Sequence, residues 1–248
     1  MEFFQYLAPT KVIFGRGTET RTGALWKEAG ATKVLIHYGG HSAKKSGLID
    51  RICASLQAEG ISYTELGGVV PNPRLSKVYE GIELGRKEKI DFILAVGGGS
   101  VIDSAKAIAV MAANHGDLWD YIASGTGKGQ PIKNKPLPIV AISTTAGTGS
   151  EADAGCVITN PEMNEKVGLK TPDLFPVLCI EDPELMKSVP AHYTSYQGFD
   201  ALSHSLEGYI SKFANLMSDM YAITAIENVG RYLARAVKDG NDLSLIHI

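Results

Sequence analysis

The chain has 248 residues, with 24 lysines and arginines against 27 aspartates and glutamates, a net charge of −3. At 44% hydrophobic and 21% charged residues it has enough apolar chain to bury a core, which excludes a disordered or low-complexity reading. The acidic balance and the lack of any Lys/Arg-rich run exclude a basic nucleic-acid footprint, and no apolar run is long enough to span a bilayer.

The opening stretch, residues 1–14, lacks the basic start, apolar run and small-residue cleavage site of a secretory signal. The three cysteines, Cys53, Cys156 and Cys179, show no CxxC spacing, so structural, reduced thiols in a soluble cytoplasmic protein are expected. Residues 33–38 read as a buried strand stopped by Gly39-Gly40. An amphipathic helix over 46–60 follows, with Leu48, Ile49, Ile52 and Leu56 at helical spacing and Gly60 as its cap. A strand at 61–66, a turn at Pro71-Asn72-Pro73 and a helix over 75–87 come next. The clearest strand, 91–96, runs into Gly97-Gly98-Gly99-Ser100 and a helix over 101–113, and 137–143 is a further apolar strand. Alternation of this kind predicts parallel pairing through βαβ crossovers, hence an α/β nucleotide-binding layer. After Pro190 the pattern is helical, over 193–212 and 215–238, and a domain boundary is expected between Pro183 and Pro190. The division is therefore residues 1–187 and 188–248, with 243–248 a tail that continues neither the helical period nor a cap.

Two glycine clusters follow strands. Gly97-Gly98-Gly99-Ser100-Val101-Ile102-Asp103 opens a helix, where free N–H groups attract a phosphate and Ser100 adds a donor or caps the helix. It is neither GxxxxGK[ST] nor GxGxxG, which weakens a phosphoryl-transfer reading. Thr144-Thr145-Ala146-Gly147-Thr148-Gly149-Ser150-Glu151 gathers small hydroxyl residues at the carboxyl edge of the same sheet, where α/β proteins bind ligands. Together the two loops favour a dinucleotide. In the helical region Asp200 and His204 stand four residues apart, on one helix face, where they can meet one cation or simply pair with each other. The remaining histidines, His37, His41, His115, His192 and His247, lie elsewhere.

Read together, these residues resemble the iron-containing alcohol dehydrogenase family, and its butanol dehydrogenase-like branch in particular. The matching stretches are Phe14-Gly15-Arg16-Gly17, Gly67-Gly68-Val69-Val70-Pro71-Asn72-Pro73, the two glycine clusters, and Gly198-Phe199-Asp200-Ala201-Leu202-Ser203-His204-Ser205-Leu206-Glu207-Gly208-Tyr209, in the family's order. The resemblance implies an N-terminal Rossmann-like dinucleotide-binding domain with a parallel sheet, then an all-helical metal-binding domain, with the active site between them. It implies that Gly98, Gly99, Ser100 and Asp103 hold the cofactor pyrophosphate and neighbouring ribose, and that Thr144, Thr145 and Thr148 line the nicotinamide side. Asn72, Val157 and Lys166, the lysine read as lying in a turn, are further implied contacts. Asp200 and His204 match two metal ligands for Fe²⁺ or Zn²⁺. The implied reaction is reversible reduction of an aldehyde to a primary alcohol, such as butyraldehyde to butanol, and a homodimer is the implied assembly.

The family pattern has two more histidine ligands later in the helical domain. The chain is accordingly expected to be C-terminally truncated, and His247 is not promoted to a ligand. Cofactor choice is read from the end of the second strand, Tyr38-Gly39-Gly40-His41-Ser42, which carries no acid for an adenosine ribose. Gly39 and Gly40 leave room there, Ser42 adds a donor and Lys44 or Lys45 lies nearby, so NADP(H) is expected over NAD(H). The alternatives are an inactive fragment that binds dinucleotide without turnover, a glycerol/polyol dehydrogenase-like or maleylacetate reductase-like relative, and an α/β module that binds a phosphorylated sugar.

Overall fold

The computed structural model describes residues 3–245. In chain order the elements are β1 (Lys11–Phe14), α1 (Thr22–Glu28), β2 (Lys33–Tyr38), α2 (Ser42–Lys45), α3 (Leu48–Ala58), β3 (Ser62–Leu66) and α4 (Leu75–Glu88). They continue with β4 (Phe92–Gly97), α5 (Gly99–Ala113), α6 (Leu118–Tyr121), β5 (Ile139–Ser143), β6 (Gly155–Asn160), β7 (Glu165–Lys170) and β8 (Leu178–Glu181). Two long helices, α7 (Ala191–Ile210) and α8 (Leu216–Lys238), close the chain.

Six strands form one sheet in the order β1-β8-β5-β4-β2-β3, with every pairing parallel. Parallel sheets are covered on both faces, and their strands are correspondingly apolar throughout. All residues of β4 and β5 are buried, as are five of the six in β2. Successive residues feed opposite sides, as the two-residue pleat requires. Leu35, Ile93, Ala95 and Ala141 pack with α4 and α5, whereas Val34, Ile36, Leu94, Val96 and Ile142 pack with α1 and α3. Chain order reverses between β2 and β4, since β3 follows outward on one side and β5 on the other. In an open α/β sheet that reversal leaves a crevice outside the strands' carboxyl ends, where ligands bind.

The structure departs from the sequence reading at three places. The helix expected over 46–60 is present as α3, but it starts only after Gly47, in the left-handed region at φ 72°, and a short helix, α2, precedes it. β6 and β7 form an antiparallel hairpin apart from the main sheet, and its turn uses Asn164 at φ 51°. Lys166 therefore lies on a strand, paired opposite Thr159, and not in a turn. Residues 178–181 are an inner strand between β5 and β1. The two expected long helices are present; Asn215 caps α8 by accepting from the N–H groups of Met217 and Ser218. α7 and α8 pack closely at Gly198, where a Cβ would fall 2.2 Å from Leu233 Cδ1. Of the expected tail, Leu243–Leu245 forms a 3-10 turn with Leu245 buried, while His247 lies outside the described residues. No helix among the described residues is long and apolar enough to cross a membrane.

Candidate dinucleotide and metal cleft

A cleft of about 710 Å³ opens at the carboxyl edge of the sheet. The first two turns of α5 bring Gly99, Ser100 and Asp103 into it, and the loop after β5 brings Thr148. Val157 and Lys166 come from the β6–β7 hairpin, Asn72 from the loop before α4, and Asp200 with His204 from α7. Nine of the residues singled out from the sequence thus line one space, although they are spread over 133 positions of chain (204 − 72 + 1).

The remaining ones stand behind or beside it. Gly98 and Gly99 are where the two glycine-rich loops touch. A Cβ on Gly98 would sit 2.5 Å from Thr145 Oγ1, and one on Gly99 would sit 2.9 Å from Thr148 Cγ2. Only glycine permits that approach. The Thr144 N–H donates to the Gly97 carbonyl at 3.2 Å, which holds the second loop against the first. Neither Thr144 nor Gly98 lines the cleft, and Thr145 faces a second cavity of about 220 Å³ beyond the ends of β5 and β8. Gly39, Gly40 and Ser42 follow β2 and do not line the cleft; Gly39 is nevertheless its neighbour, with a Cβ there lying 3.7 Å from Val101 Cγ2.

The carboxylate of Asp103 accepts from Ser150 Oγ at 2.7 Å and from the Val157 N–H at 3.1 Å. Burial raises its pKa, while those two hydrogen bonds work in the opposite direction. Lys166 Nζ donates to Asn72 Oδ1 at 2.8 Å, bridging the hairpin to the loop before α4. Asn72 holds a left-handed backbone at φ 56°, a conformation asparagine tolerates better than most residues. The loop is joined to α7 as well. Gln197 Oε1 accepts from the Ala146 N–H at 3.1 Å, and a Cβ on Gly147 would meet the Gln197 carbonyl at 2.5 Å. That junction carries the next helical turn, with Asp200 and His204, onto the cleft.

One residue that organises this site went unread in the sequence. Lys106 is fully buried in α5, and its ammonium lies within hydrogen-bond reach of the carbonyls of Ser150 at 2.7 Å, Asp153 at 2.9 Å and Gly155 at 2.9 Å. It also pairs with the Asp153 carboxylate. A buried ammonium is tolerated only when so satisfied. Lys106 therefore ties α5 to the segment that supplies Ser150 to Asp103. The available signal was a lone charge inside the apolar run Ala105-Lys106-Ala107-Ile108.

The donor set fits a dinucleotide: the N-terminus of a fifteen-residue helix, the Ser100 and Thr148 hydroxyls and the Lys166 ammonium face the cleft, while the Ser150 hydroxyl there is taken by Asp103. A metal ion is provided for only in part. Asp200 Oδ1 and His204 Nε2 are 3.6 Å apart, beyond hydrogen-bond distance, with side chains 47% and 58% exposed. Both are donors that Fe²⁺ or Zn²⁺ accepts, but no group of three or more His, Cys, Asp or Glu residues that could hold a metal occurs among the described residues. The pair fits as part of a site and does not complete one. His37 is not a further candidate. It is fully buried between the Leu66 carbonyl (3.0 Å) and Ser104 Oγ (2.9 Å), and desolvation pushes its pKa down to about 4. All three cysteines are buried and free, and burial raises each thiol's pKa, so none is an activated nucleophile.

The family model described as iron-containing alcohol dehydrogenase matches residues 9–183, and the C-terminal model of the Fe-containing alcohol dehydrogenase family matches residues 194–246. NADH-dependent butanol dehydrogenase A of Clostridium acetobutylicum is 43% identical over 209 residues, covering 84% of this chain and 52% of that protein. 1,3-Propanediol dehydrogenase of Citrobacter freundii is 39% identical over 241 residues, covering 97% of this chain and 61% of that protein. The crystal structure of NADH-dependent butanol dehydrogenase A from Thermotoga maritima superposes with a TM-score of 0.92 at 40% identity, covering 99% of this chain and 60% of that one. The chain thus spans between half and two thirds of the length of these relatives.

Proposed function

Because the chain belongs to the iron-containing alcohol dehydrogenase family, we propose that the protein transfers a hydride between NAD(P)(H) and a primary alcohol or aldehyde of the butanol/butyraldehyde kind. One observation carries the proposal: a single cleft gathers the α5 N-terminus, the Thr148 loop, Lys166 and the Asp200–His204 pair at the sheet's topological reversal. The cofactor carries the hydride, and the protein supplies position and charge.

In this reading the first turn of α5 and the Ser100 hydroxyl face the pyrophosphate, where helix N–H groups favour an anion. Asp103 takes a ribose hydroxyl and not a phosphate, because a carboxylate repels the diphosphate yet keeps acceptor capacity beyond its two present bonds. Thr148 faces the nicotinamide end from the cleft wall, and Thr144 and Thr145 hold its loop from behind. Asn72, Val157 and Lys166 form the opposite wall, with the Lys166 ammonium neutralising cofactor charge. Asp200 and His204 hold a divalent ion, Fe²⁺ or Zn²⁺, together with donors beyond these two; such an ion supplies Lewis acidity toward the substrate oxygen. Residues 1–187 form the dinucleotide-binding unit and 188–248 belong to the metal-binding helical unit of a cytoplasmic, homodimeric enzyme.

The NADP(H) expectation rests on the acid-free turn after β2. The relatives whose names give a cofactor are called NADH-dependent or NAD-dependent, which does not support it. A second reading, dinucleotide binding without turnover, is favoured by the incomplete metal donor set. Oxidation of NADH and NADPH with butyraldehyde, with Fe²⁺ or Zn²⁺ added, separates the two when run beside a cofactor titration. Turnover that Asp200→Ala or His204→Ala abolishes supports the enzyme. Binding alone supports the second reading, and binding of neither cofactor overturns both.

A further inference from the structure

The turn after β2 has no acid, but the sheet edge beside it does. Glu65 lies on β3, in register with Ile36, and one of its carboxylate oxygens accepts from the Tyr38 hydroxyl at 3.0 Å. The same oxygen pairs with Lys44 Nζ at 2.7 Å. Lys44 Nζ also sits 5.6 Å from the centre of the Tyr38 ring, a cation–π distance. The aromatic ring is itself locked, since a Cβ on Gly67 would fall 2.4 Å from Tyr38 Cε2. One carboxylate and one ring, both on the strands that frame the turn, thus hold the ammonium that could otherwise reach a phosphate there.

The turn is where an adenosine ribose belongs if the cleft binds a dinucleotide. Tyr38 and Val96 are register partners at the carboxyl ends of β2 and β4, on the two sides of the topological reversal. Gly39 abuts Val101 in the first turn of α5, and its carbonyl accepts from the Gly68 N–H at 2.8 Å. The turn is therefore flanked by the phosphate-facing helix on one side and the loop leading to Asn72 on the other.

We propose that Glu65, reaching in from the neighbouring strand, is the specificity-determining residue for the cofactor and directs the protein to NAD(H) by engaging Lys44. The inference rests on the dinucleotide reading of the cleft. A 2′-phosphate could recruit Lys44 only by stripping Glu65 of its cation, leaving a carboxylate, one-third exposed, close to the new phosphate charges. That exchange swaps one ion pair for another and adds a like-charge repulsion. NAD(H) has no such phosphate and leaves the pair intact.

The test is titration of the 248-residue chain with NADH and with NADPH, read by calorimetry, for the wild type, Glu65→Gln, Lys44→Met and the double variant. The wild type is expected to bind NADH more tightly. Glu65→Gln should move the NADPH:NADH affinity ratio about tenfold toward NADPH, the size of one freed charge-assisted contact. Lys44→Met alone should leave the ratio within about twofold of wild type, and the double variant should lose the gain. A Glu65→Gln ratio unchanged while both cofactors still bind overturns the proposal and leaves the dinucleotide reading standing. A wild type that prefers NADPH also overturns it. If Glu65→Gln fails to fold, a Lys44→Met change that weakens NADPH binding in the wild-type background overturns it independently, because Lys44 would then already be serving the phosphate. Binding of neither cofactor by the wild type removes the dinucleotide reading and the proposal with it.

Discussion

The sheet layer and the α7–α8 pair are built on opposite terms. β4 and β5 are buried at every residue, whereas twenty-residue α7 buries only Gly198 and twenty-three-residue α8 only Ala222 and Val229. The helices still carry large apolar side chains, and these face outward. Phe199, Tyr209, Ile210 and Leu216 are all exposed, and Phe213, in the loop joining the two helices, is 80% exposed. Apolar burial supplies most of the driving force for folding, so the layer contains its own stability and the helix pair draws little beyond its mutual contact. The layer also carries the groups proposed for the cofactor, and the helices carry the pair proposed for the metal. The proposed cofactor and metal sites thus stand on regions of unequal burial.

Lys106→Met gives the largest expected effect. It leaves the carbonyls of Ser150, Asp153 and Gly155 without their donor and the half-exposed Asp153 carboxylate without its cation. The expected loss, mostly from the stranded carbonyls, is about 3–5 kcal/mol. Urea unfolding followed by tryptophan emission measures it, because both tryptophans, Trp26 and Trp119, pack in the layer. A loss under 1 kcal/mol would mean the layer does not depend on this buried charge.

His37 comes next and tests the same region through pH. Its folded pKa is about 4 against 6.5 in a free chain, chiefly because of burial, with the Lys77 charge adding slightly and the Leu66 carbonyl and Glu80 opposing. The neutral ring is the folded form, so the stability it protects is full above pH 6.5 and declines as pH falls from 6.5 toward 4. The total is about 3 kcal/mol by linkage. His37→Gln should flatten that slope of the unfolding free energy between pH 6.5 and 4.

The smallest change in stability is expected at the corner between α7 and α8. Ile210→Ser with Phe213→Ser should alter the unfolding free energy by less than about 0.5 kcal/mol, since neither side chain is buried. The same change should reduce self-association, which light scattering of wild type and variant would report. A monodisperse wild type, or a large loss of stability in the variant, would show that these faces are covered and would erase the contrast between the two regions.

Much of the layer was legible because parallel strands buried on both faces leave long apolar runs that end in glycine, as at 91–99. The two glycine loops and the Asp200–His204 spacing were legible as well, since local geometry alone puts them at a helix start and on one helix face. The β6–β7 hairpin was not. Its alternation is short, it stands apart from the main sheet, and its turn rests on Asn164 in place of a glycine. Lys106 was not legible either, because a lone lysine in an apolar helix says nothing of the carbonyls that satisfy it 44 to 49 residues away.

By itself the sequence determined the strand–helix alternation, the glycine turns, the paired donors on α7 and the membership those motifs carry. The first three follow from spacing within one or two turns of chain, and the membership from the resemblance of five such stretches, in order, to the family's. Tertiary structure alone decided that residues from 72 to 204 share one cleft, that Thr144 and Gly98 stand behind it, and that an acid from β3 holds the lysine beside an acid-free turn. Such facts depend on which strands become neighbours, and that order, β3-β2-β4-β5, is set by packing the whole sheet between its two helical layers.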